Sequence, residues 1–238
     1  MRQLSNRQQS SRGFTLVELM LAMAFLSMML IVIAVTVMQI INIYNKGITI
    51  KEINQIGRAI SVDMKRAIGE GASFSLDSSS KNFCLLNPSR GCINDPRVAV
   101  GGRLCTGSYT YAWSFRDKSV DGQNGLLRVN DPDGKYCKQS SSSSSLPLIN
   151  ATADATQILS ANSNVKILDF AVVRMNTGYV SDDEAVYKIS IQVGPYDSED
   201  ISYDPGSRVY SCKPAANAFC AVNYFDITAF AGNNRGGI

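Results

Sequence analysis

The chain of 238 residues is 45% hydrophobic and 18% charged, a composition typical of folded proteins that argues against intrinsic disorder. It has no histidine, which removes Ser-His-Asp and Cys-His catalysis and the commonest zinc sites, so we expect neither an enzyme nor a bound cofactor or metal. The formal charge of +3 equals that of Arg2, Arg7 and Arg12 alone, and the nearly neutral remainder gives no support for generic DNA binding.

The first element is a long apolar stretch. No charged residue occurs between Leu19 and Asn45, and only three clearly polar side chains interrupt the range 19–41. As a helix these residues would reach roughly 35 Å, enough to cross a hydrocarbon core of about 30 Å. We therefore predict a transmembrane helix in contact with membrane lipid.

The orientation follows from the basic residues. All three leader arginines precede the apolar stretch, and the next basic residue is Lys46. The positive-inside bias keeps the leader in the cytoplasm and exports the carboxy-terminal part. The apolar run is too long for an ordinary secretory signal, so ordinary signal cleavage is not expected.

One acidic residue lies at the start of this stretch. The carboxylate of Glu18 is costly among apolar side chains unless something compensates its charge. The amino-terminal dipole of the helix supplies part of that compensation. An interfacial position beside the lipid headgroups is the alternative explanation.

The residues around Glu18 form a recognisable motif. The segment Arg12-Gly13-Phe14-Thr15-Leu16-Val17-Glu18-Leu19 closely resembles the type III signal of type IV prepilins and pseudopilins. The resemblance implies cleavage between Gly13 and Phe14 by a prepilin peptidase, N-methylation of Phe14, and Glu18 as the fifth residue of the mature chain. In a staggered array, the Phe14 amine of one subunit would compensate the Glu18 carboxylate of another and set the register.

An amphipathic pattern continues the helix beyond the membrane. Apolar residues recur at three- and four-residue spacing, at Ile53, Ile56, Ile60, Met64 and Ala67 or Ile68. Charged residues occupy the other faces, at Lys51, Glu52, Arg58, Lys65 and Arg66. We predict one helix over 14–68, roughly 80 Å long, that stops at Gly69 and Gly71. Major pilins often carry a proline in the membrane half, and this chain has Val35 there, which favours a minor pilin or pseudopilin.

After Gly71 the pattern is typical of antiparallel strands separated by turns. Candidate strands are Ser108–Phe115, Gly125–Asn130, Val165–Met175, Ala185–Val193 and Ala221–Phe230. Five strands suffice for one sheet, and Gly178, Asp182 and Asp183 suit a hairpin turn. One sheet face would cover the apolar stripe of the helix.

The expected fold class is α+β, a long amino-terminal helix on an antiparallel sheet, as the pilin resemblance also implies. The order of elements is similar to the longer W/J-type minor pilins and pseudopilins. We expect a cleaved leader at 1–13, a transmembrane assembly helix at 14–45, an amphipathic extension at 46–70, and an exported domain at 71–238. This last range is called the head below.

Six cysteines lie in the head, as expected in an oxidising compartment. Six cysteines allow fifteen connectivities. Proximity favours three local pairs, Cys84 with Cys92, Cys105 with Cys137, and Cys212 with Cys220. No Cys-x-x-Cys pair supports a zinc site.

Other head segments have simpler explanations than ligand binding. The run Ser140–Ser145 is expected to be an exposed loop, with glycosylation as an alternative. Ordinary turns are favoured over calcium binding for two polar clusters, Asp117, Asp121 and Asn124, and Asp131 and Asp133. Four aromatic residues alternate along one strand and should share a core-facing side, Tyr109, Tyr111, Trp113 and Phe115. An exposed aromatic face would instead suit a sugar or protein partner.

The prepilin resemblance implies a structural subunit of a type IV pilus-like filament, with a role in adhesion or twitching motility. Its partners would be other pilin subunits, the prepilin peptidase, the inner-membrane assembly platform and, indirectly, an assembly ATPase. The expected location is the bacterial inner membrane, with the head outside the cytoplasm, and then a surface or periplasmic filament.

Three alternatives remain. The first is a pseudopilin of a type II secretion or competence system. The second is a tip-displayed module that binds a surface ligand or DNA, the latter through a local patch of Arg90, Arg97 and Arg103. The third and remotest is a membrane-anchored enzyme.

Overall fold

The computed structural model describes residues 13–77, 81–118, 125–138, 145–149, 155–160, 163–175, 184–197, 199–214 and 219–232. Its fold is α+β, with one long helix followed by eleven strands in the described residues. The predicted fold class, a long amino-terminal helix packed on antiparallel sheets as in pilins, is therefore confirmed. The chain divides into two compact units between Tyr44 and Asn45.

The helix α1 runs from Leu16 to Gly69, close to the predicted bounds. At its end the amide of Gly71 donates to the carbonyl of Ile68 over 3.2 Å. A Cβ on Gly71 would lie 2.6 Å from the carbonyl oxygen of Thr106, so only glycine fits without a shift. The chain therefore leaves the helix where the glycines predicted a stop.

The carboxy-terminal part of α1 buries one stripe, because apolar residues repeat at helical spacing. The buried residues are Ile53, Gly57, Ile60, Met64, Ala67 and Ile68, and Ile56 is half-buried. Lys51, Arg58, Lys65 and Arg66 are exposed, and Glu52 is half-buried. The amphipathic extension is thus confirmed.

Gly57 has a packing role that its sequence did not reveal. Glycine disfavours an interior helical position by about 1 kcal/mol relative to alanine. A Cβ at Gly57 would, however, overlap the ring of Phe225. The helix approaches the sheet closely at this point because there is no side chain in the way.

The strands form three antiparallel sheets in the described residues. The first has the order β2-β1-β3-β4-β5-β6 and consists of β1 Phe83–Leu86, β2 Cys92–Ile93, β3 Gly101–Cys105, β4 Tyr109–Ser114, β5 Leu126–Asn130 and β6 Ala155–Leu159. The second has the order β11-β8-β7 and consists of β7 Val165–Met175, β8 Ala185–Pro195 and β11 Asn223–Ala231. The third pairs β9 Ile201–Asp204 with β10 Val209–Cys212.

The predicted pairing of Val165–Met175 with Ala185–Val193 is confirmed, and its register runs from Val165↔Pro195 to Met175↔Val186 with a bulge after Ile167. The proposed turn residues Gly178, Asp182 and Asp183 lie outside the described residues. The expectation of one five-stranded sheet was wrong. It omitted β1, β2, β3, β6, β9 and β10, which are short or contain glycine and polar residues.

One hydrophobic cluster joins α1 to the two larger sheets. It contains Ile60 and Met64 of the helix, Trp113 of the first sheet, and Phe170 and Ile189 of the second. The rings of Trp113 and Phe170 stack with their centroids 3.9 Å apart. Burying an isoleucine side chain contributes on the order of 1.5 to 3 kcal/mol, so this stripe holds residues 53–68 on the sheets.

Candidate functional site

The first turn of α1 brings together the residues of the sequence motif. Thr15 precedes the helix, and its hydroxyl oxygen accepts a 3.3 Å hydrogen bond from the amide of Glu18. In return, both the amide and the hydroxyl of Thr15 donate to Oε2 of Glu18 at 3.1 Å. This reciprocal arrangement is a capping box, which satisfies backbone donors that have no partner within the helix.

The second carboxylate oxygen has a different environment. Oε1 of Glu18 makes no hydrogen bond to any described residue, and the whole side chain is exposed. One oxygen therefore caps the helix, and the other is open to a donor from another molecule. Sequence reasoning noticed the helix dipole but missed the capping box, although the spacing Thr-x-x-Glu is its standard signal.

The predicted cleavage position is also exposed. Gly13 lies before the helix, and a Cβ added to it would meet no atom within 4 Å. Phe14 is 85% exposed. Neither residue is held by packing within the described chain.

The apolar surface of α1 is exposed on all sides from residue 16 to residue 44, where every residue is exposed. By length and composition, this helix is able to cross a membrane. Exposed apolar surfaces of this extent mark sites of contact with a membrane or with another protein.

A polar cluster at the sheet surface connects the head to the carboxy-terminal part of α1. Asp63 of α1 accepts a 2.7 Å hydrogen bond from the hydroxyl of Tyr111 on β4. Its other oxygen pairs with the guanidinium of Arg128 on β5. Burial, together with the hydrogen bond to Asp63, raises the pKa of Tyr111 far above its ordinary value, so the hydroxyl keeps its proton.

Three disulfides join the six cysteines in the pairs that proximity favoured, which confirms that prediction. The Cα–Cα distances are 5.4 Å for Cys84–Cys92, 6.3 Å for Cys105–Cys137 and 5.9 Å for Cys212–Cys220, within the usual range. Two of the bridges close local loops, and the Cys105–Cys137 bridge encloses β4 and β5.

The arginine patch that was left open as an alternative for DNA binding is not formed. Arg103 is fully buried on β3 and donates to the carbonyl oxygen of Tyr136 over 2.9 Å, because its strand lies within the first sheet. Arg97 is exposed but pairs with Asp95 at 2.8 Å. A nucleic-acid surface built from Arg90, Arg97 and Arg103 together is therefore wrong.

One residue of the calcium alternatives, Asp131, has a structural explanation. The Asp131 carboxylate is buried and accepts hydrogen bonds from the hydroxyl of Thr110 and from the amides of Lys135 and Tyr136. It therefore orders the turn after β5. Within the described ranges, no group of three or more acidic or cysteine side chains could hold a metal ion. Asp121, Asn124 and the serines before Ser145 lie outside those ranges.

The alternating aromatic side chains on and just after β4 pack in the core, as predicted. Tyr111, Trp113 and Phe115 are buried, and Tyr109 is half-buried. The aromatic side chains of this strand therefore do not form an exposed binding patch.

The fold and the site define an α+β protein with an apolar amino-terminal helix, an acidic residue in its first turn, and a disulfide-bonded sheet domain. No protein-family model, no curated protein sequence and no solved structure matches the chain.

Proposed function

We propose that the chain is a prepilin-like subunit, most similar to a minor pilin, of a type IV pilus-like filament. It is processed between Gly13 and Phe14 and assembles through α1. The observation that carries this proposal is Glu18, an acidic residue with one open oxygen at the start of a helix whose apolar residues are all exposed up to residue 44.

The exposed apolar surface supports assembly in two environments. Before assembly, residues 14–44 lie in the membrane as a single-pass anchor. In the filament, the same side chains pack against those of neighbouring helices. The arginines of the leader place it in the cytoplasm, which exports the head to a compartment where its three disulfides form.

Glu18 supports a specific register between subunits. Cleavage creates a terminal amine on Phe14, and the amine of one subunit pairs with Oε1 of Glu18 in another. Leaving a charge buried without its partner costs several kcal/mol, so subunits displaced from this register are disfavoured. The bonds from Thr15 to Oε2 orient the carboxylate for this contact.

Gly13 supports processing by a peptidase. Its position is open and its backbone is not in the left-handed region, so folding of this chain does not require glycine there. Glycine is instead required at this position because a narrow peptidase cleft excludes side chains. The chain itself acts as a structural protein, and its partners are the peptidase, the assembly platform and other pilins.

The test is the amino terminus of the mature protein. The full chain is produced in cells with and without an active prepilin peptidase, and membrane extracts are analysed by intact mass and terminal sequencing. We expect a mature chain that begins with methylated Phe14 only when the peptidase is present. Gly13→Leu should abolish processing, whereas Ser10→Leu, an equally bulky change within the leader, should leave it intact.

Two results would overturn the proposal. A mature native chain that still begins at Met1 would remove the terminal amine on which assembly depends. Normal cleavage of the Gly13→Leu protein would remove the assigned role of glycine.

A further inference from the structure

A groove lies between the helix α1 and the head, beside the end of β8. Its volume is about 380 Å³, and its described lining residues all lie from Asn45 onward. Apolar side chains form much of its wall. Two of them are exposed, Ile48 of the helix and Phe219 of the loop that the Cys212–Cys220 bridge closes. Open apolar walls of this kind mark sites of contact with another molecule.

The rim of this groove is acidic. Glu52, Asp197 and Asp200 line it, and its described lining residues include no lysine or arginine. Oε1 of Glu52 accepts a 3.3 Å hydrogen bond from the hydroxyl of Ser163, and Oδ1 of Asp197 accepts a 2.8 Å bond from the amide of Glu199. Neither carboxylate takes part in an ion pair with another described residue. The groove therefore suits an apolar group that is flanked by positive charges.

The face of α1 that points away from the sheets has this complementary pattern. Val62 is 68% exposed, and it lies between Arg58, one turn before it, and Lys65, one turn after it. Both basic side chains are exposed, and neither forms an ion pair within the described ranges. The two charges are about 10.5 Å apart along the helix axis. These three residues are called the basic ridge below.

The basic ridge and the groove cannot meet within one chain. Val62 and Ile48 belong to the same continuous helix and are about 21 Å apart along its axis. Contact between the two surfaces therefore needs two molecules. Because the surfaces share no residue, each molecule that uses one of them still presents the other. Contacts between unlike surfaces repeat from copy to copy and build open assemblies.

We infer that the groove of one copy receives the basic ridge of a second copy. Val62 packs against Ile48 and Phe219, and Lys65 pairs with Glu52. Lys65 lies three residues beyond Val62. Glu52 lies four residues beyond Ile48, so two parallel helices bring both charges to about the same height. An apolar contact surrounded by complementary charges is the usual organisation of a protein interface, and the charges select the partner.

The parallel arrangement rests on the proposed function, in which both helices enter the membrane in the same orientation. The contact itself needs neither cleavage at Gly13 nor the amine of Phe14. The test therefore uses the full, unprocessed chain, and its outcome is independent of the outcome of the processing experiment.

The test is cross-linking between two populations of this chain in detergent micelles, with a short bismaleimide that reacts with free thiols. One population carries Val62→Cys and the other carries Asn164→Cys, because Asn164 is an exposed lining residue of the groove. The native cysteines are all in disulfides, so the introduced thiols are the reactive ones. Tags of different size identify the mixed product.

We expect the mixed product to form at least fivefold faster than the product of Val98→Cys with Asn164→Cys. Val98 is the matched control, since it is also an exposed valine, at 58%, and belongs to neither surface. Association of the apolar helices within a micelle is common to both pairs. It therefore does not change the comparison.

Charge reversal tests the ion pair. Lys65→Glu in the Val62→Cys population should slow cross-linking at least fivefold, and so should Glu52→Lys in the Asn164→Cys population. Both reversals together should restore at least half of the original rate, which a misfolded variant could not do. Arg174→Glu is the control, since Arg174 is exposed on β7 and lies outside both surfaces.

Three results would overturn the inference. The first is equal cross-linking from positions 62 and 98. The second is a rate that the charge reversals leave unchanged, or that the combined reversal fails to restore. The third is loss of the mixed product when phosphatidylethanolamine is added to the micelles, which would show that the groove takes a lipid amine instead of a second copy.

Discussion

The hydroxyl of Tyr111 donates a 2.7 Å hydrogen bond to Oδ2 of Asp63, which lies 48 residues earlier in the chain. Because Asp63 is on the helix and Tyr111 is on the first sheet, this bond fixes the rotation of the helix as well as its distance from the sheet. Arg128 on the adjacent strand pairs with the other oxygen of the same carboxylate. A single side chain of the helix thus contacts two strands.

Removing this hydroxyl should destabilise the head. Tyr111→Phe preserves the buried ring but removes the donor to Asp63, and a hydrogen bond to a charged group is worth about 1.5 to 3 kcal/mol. We expect a loss of this size in urea unfolding followed by Trp113 fluorescence. Tyr109→Phe, on the same strand but half-buried, should change stability by less than about 0.5 kcal/mol. Equal effects of the two substitutions would contradict the assigned role of Tyr111.

The contact between Gly57 and Phe225 should appear in a double-mutant cycle. Gly57→Ala should not stabilise the native protein, because the new methyl group displaces the ring of Phe225. In a Phe225→Ala background the same change should stabilise by up to about 1 kcal/mol, the helix propensity of alanine over glycine. Gly47→Ala is the control, since a Cβ there meets nothing within 4 Å. Identical gains in both backgrounds would show that the close approach has no energetic consequence.

Two variants should separate the two roles of Glu18, which are to cap the helix and to pair with the amine of another subunit. Glu18→Gln keeps an oxygen for the Thr15 hydrogen bonds but loses the charge, whereas Glu18→Ala loses both. Only the alanine variant should speed hydrogen exchange of the Thr15 amide, about fivefold for a cap worth ~1 kcal/mol. Both variants should be processed, and both should be depleted from sheared filaments. Normal incorporation of Glu18→Gln would remove the charge from the assembly mechanism.

Asp169 should make the free energy of unfolding of the head depend on pH. Burial raises its folded-state pKa above the ordinary 3.8, so the native state binds the proton more tightly than the unfolded state. Its contribution to stability is therefore fully present below about 3.8 and is lost as the pH rises through the raised pKa. The stability of Asp169→Asn relative to the native protein should increase over that window and then level off.

The measurement is the free energy of unfolding of both proteins between about pH 3 and pH 7. Asp95, Asp204 and Asp226 have lowered pKa values and the opposite slope, but their contributions cancel in the difference between the two proteins. A difference that stays constant with pH would contradict the effect of burial on Asp169.

The helix and the disulfides could be predicted because their signals are local. A helical period brings residues three and four apart onto one face, and the cysteines of two bridges, which are eight residues apart, need only a turn to meet. The third bridge, over 32 residues, follows once those four cysteines are paired. The capping box of Thr15 and Glu18 could equally have been predicted, since it depends on spacing within one turn. None of these features requires knowledge of where distant segments lie.

The sheets were harder to predict from the sequence, because short strands have only weak patterns of alternating apolar and polar residues. Strand β3 begins with Gly101 and Gly102 and contains Arg103, which together look like a turn. A Cβ on Gly102 would overlap the indole of Trp113, so the glycine is required by packing rather than by a bend. The hydrogen bond from Arg116 to Tyr210 could not be predicted from the sequence either, because the two residues belong to distant parts of the chain.

The placement of the disulfides has a mechanical consequence. The bridges span 8, 32 and 8 residues, and none of them crosses from the segment 84–137 to the segment 212–220. If the chain were pulled at its two ends, two of these bridges would keep only short loops from extending, and the Cys105–Cys137 bridge would keep the segment with β4 and β5 from extending. Oxidation therefore constrains separate segments of the head, and no bridge links the first sheet to the segment 212–220.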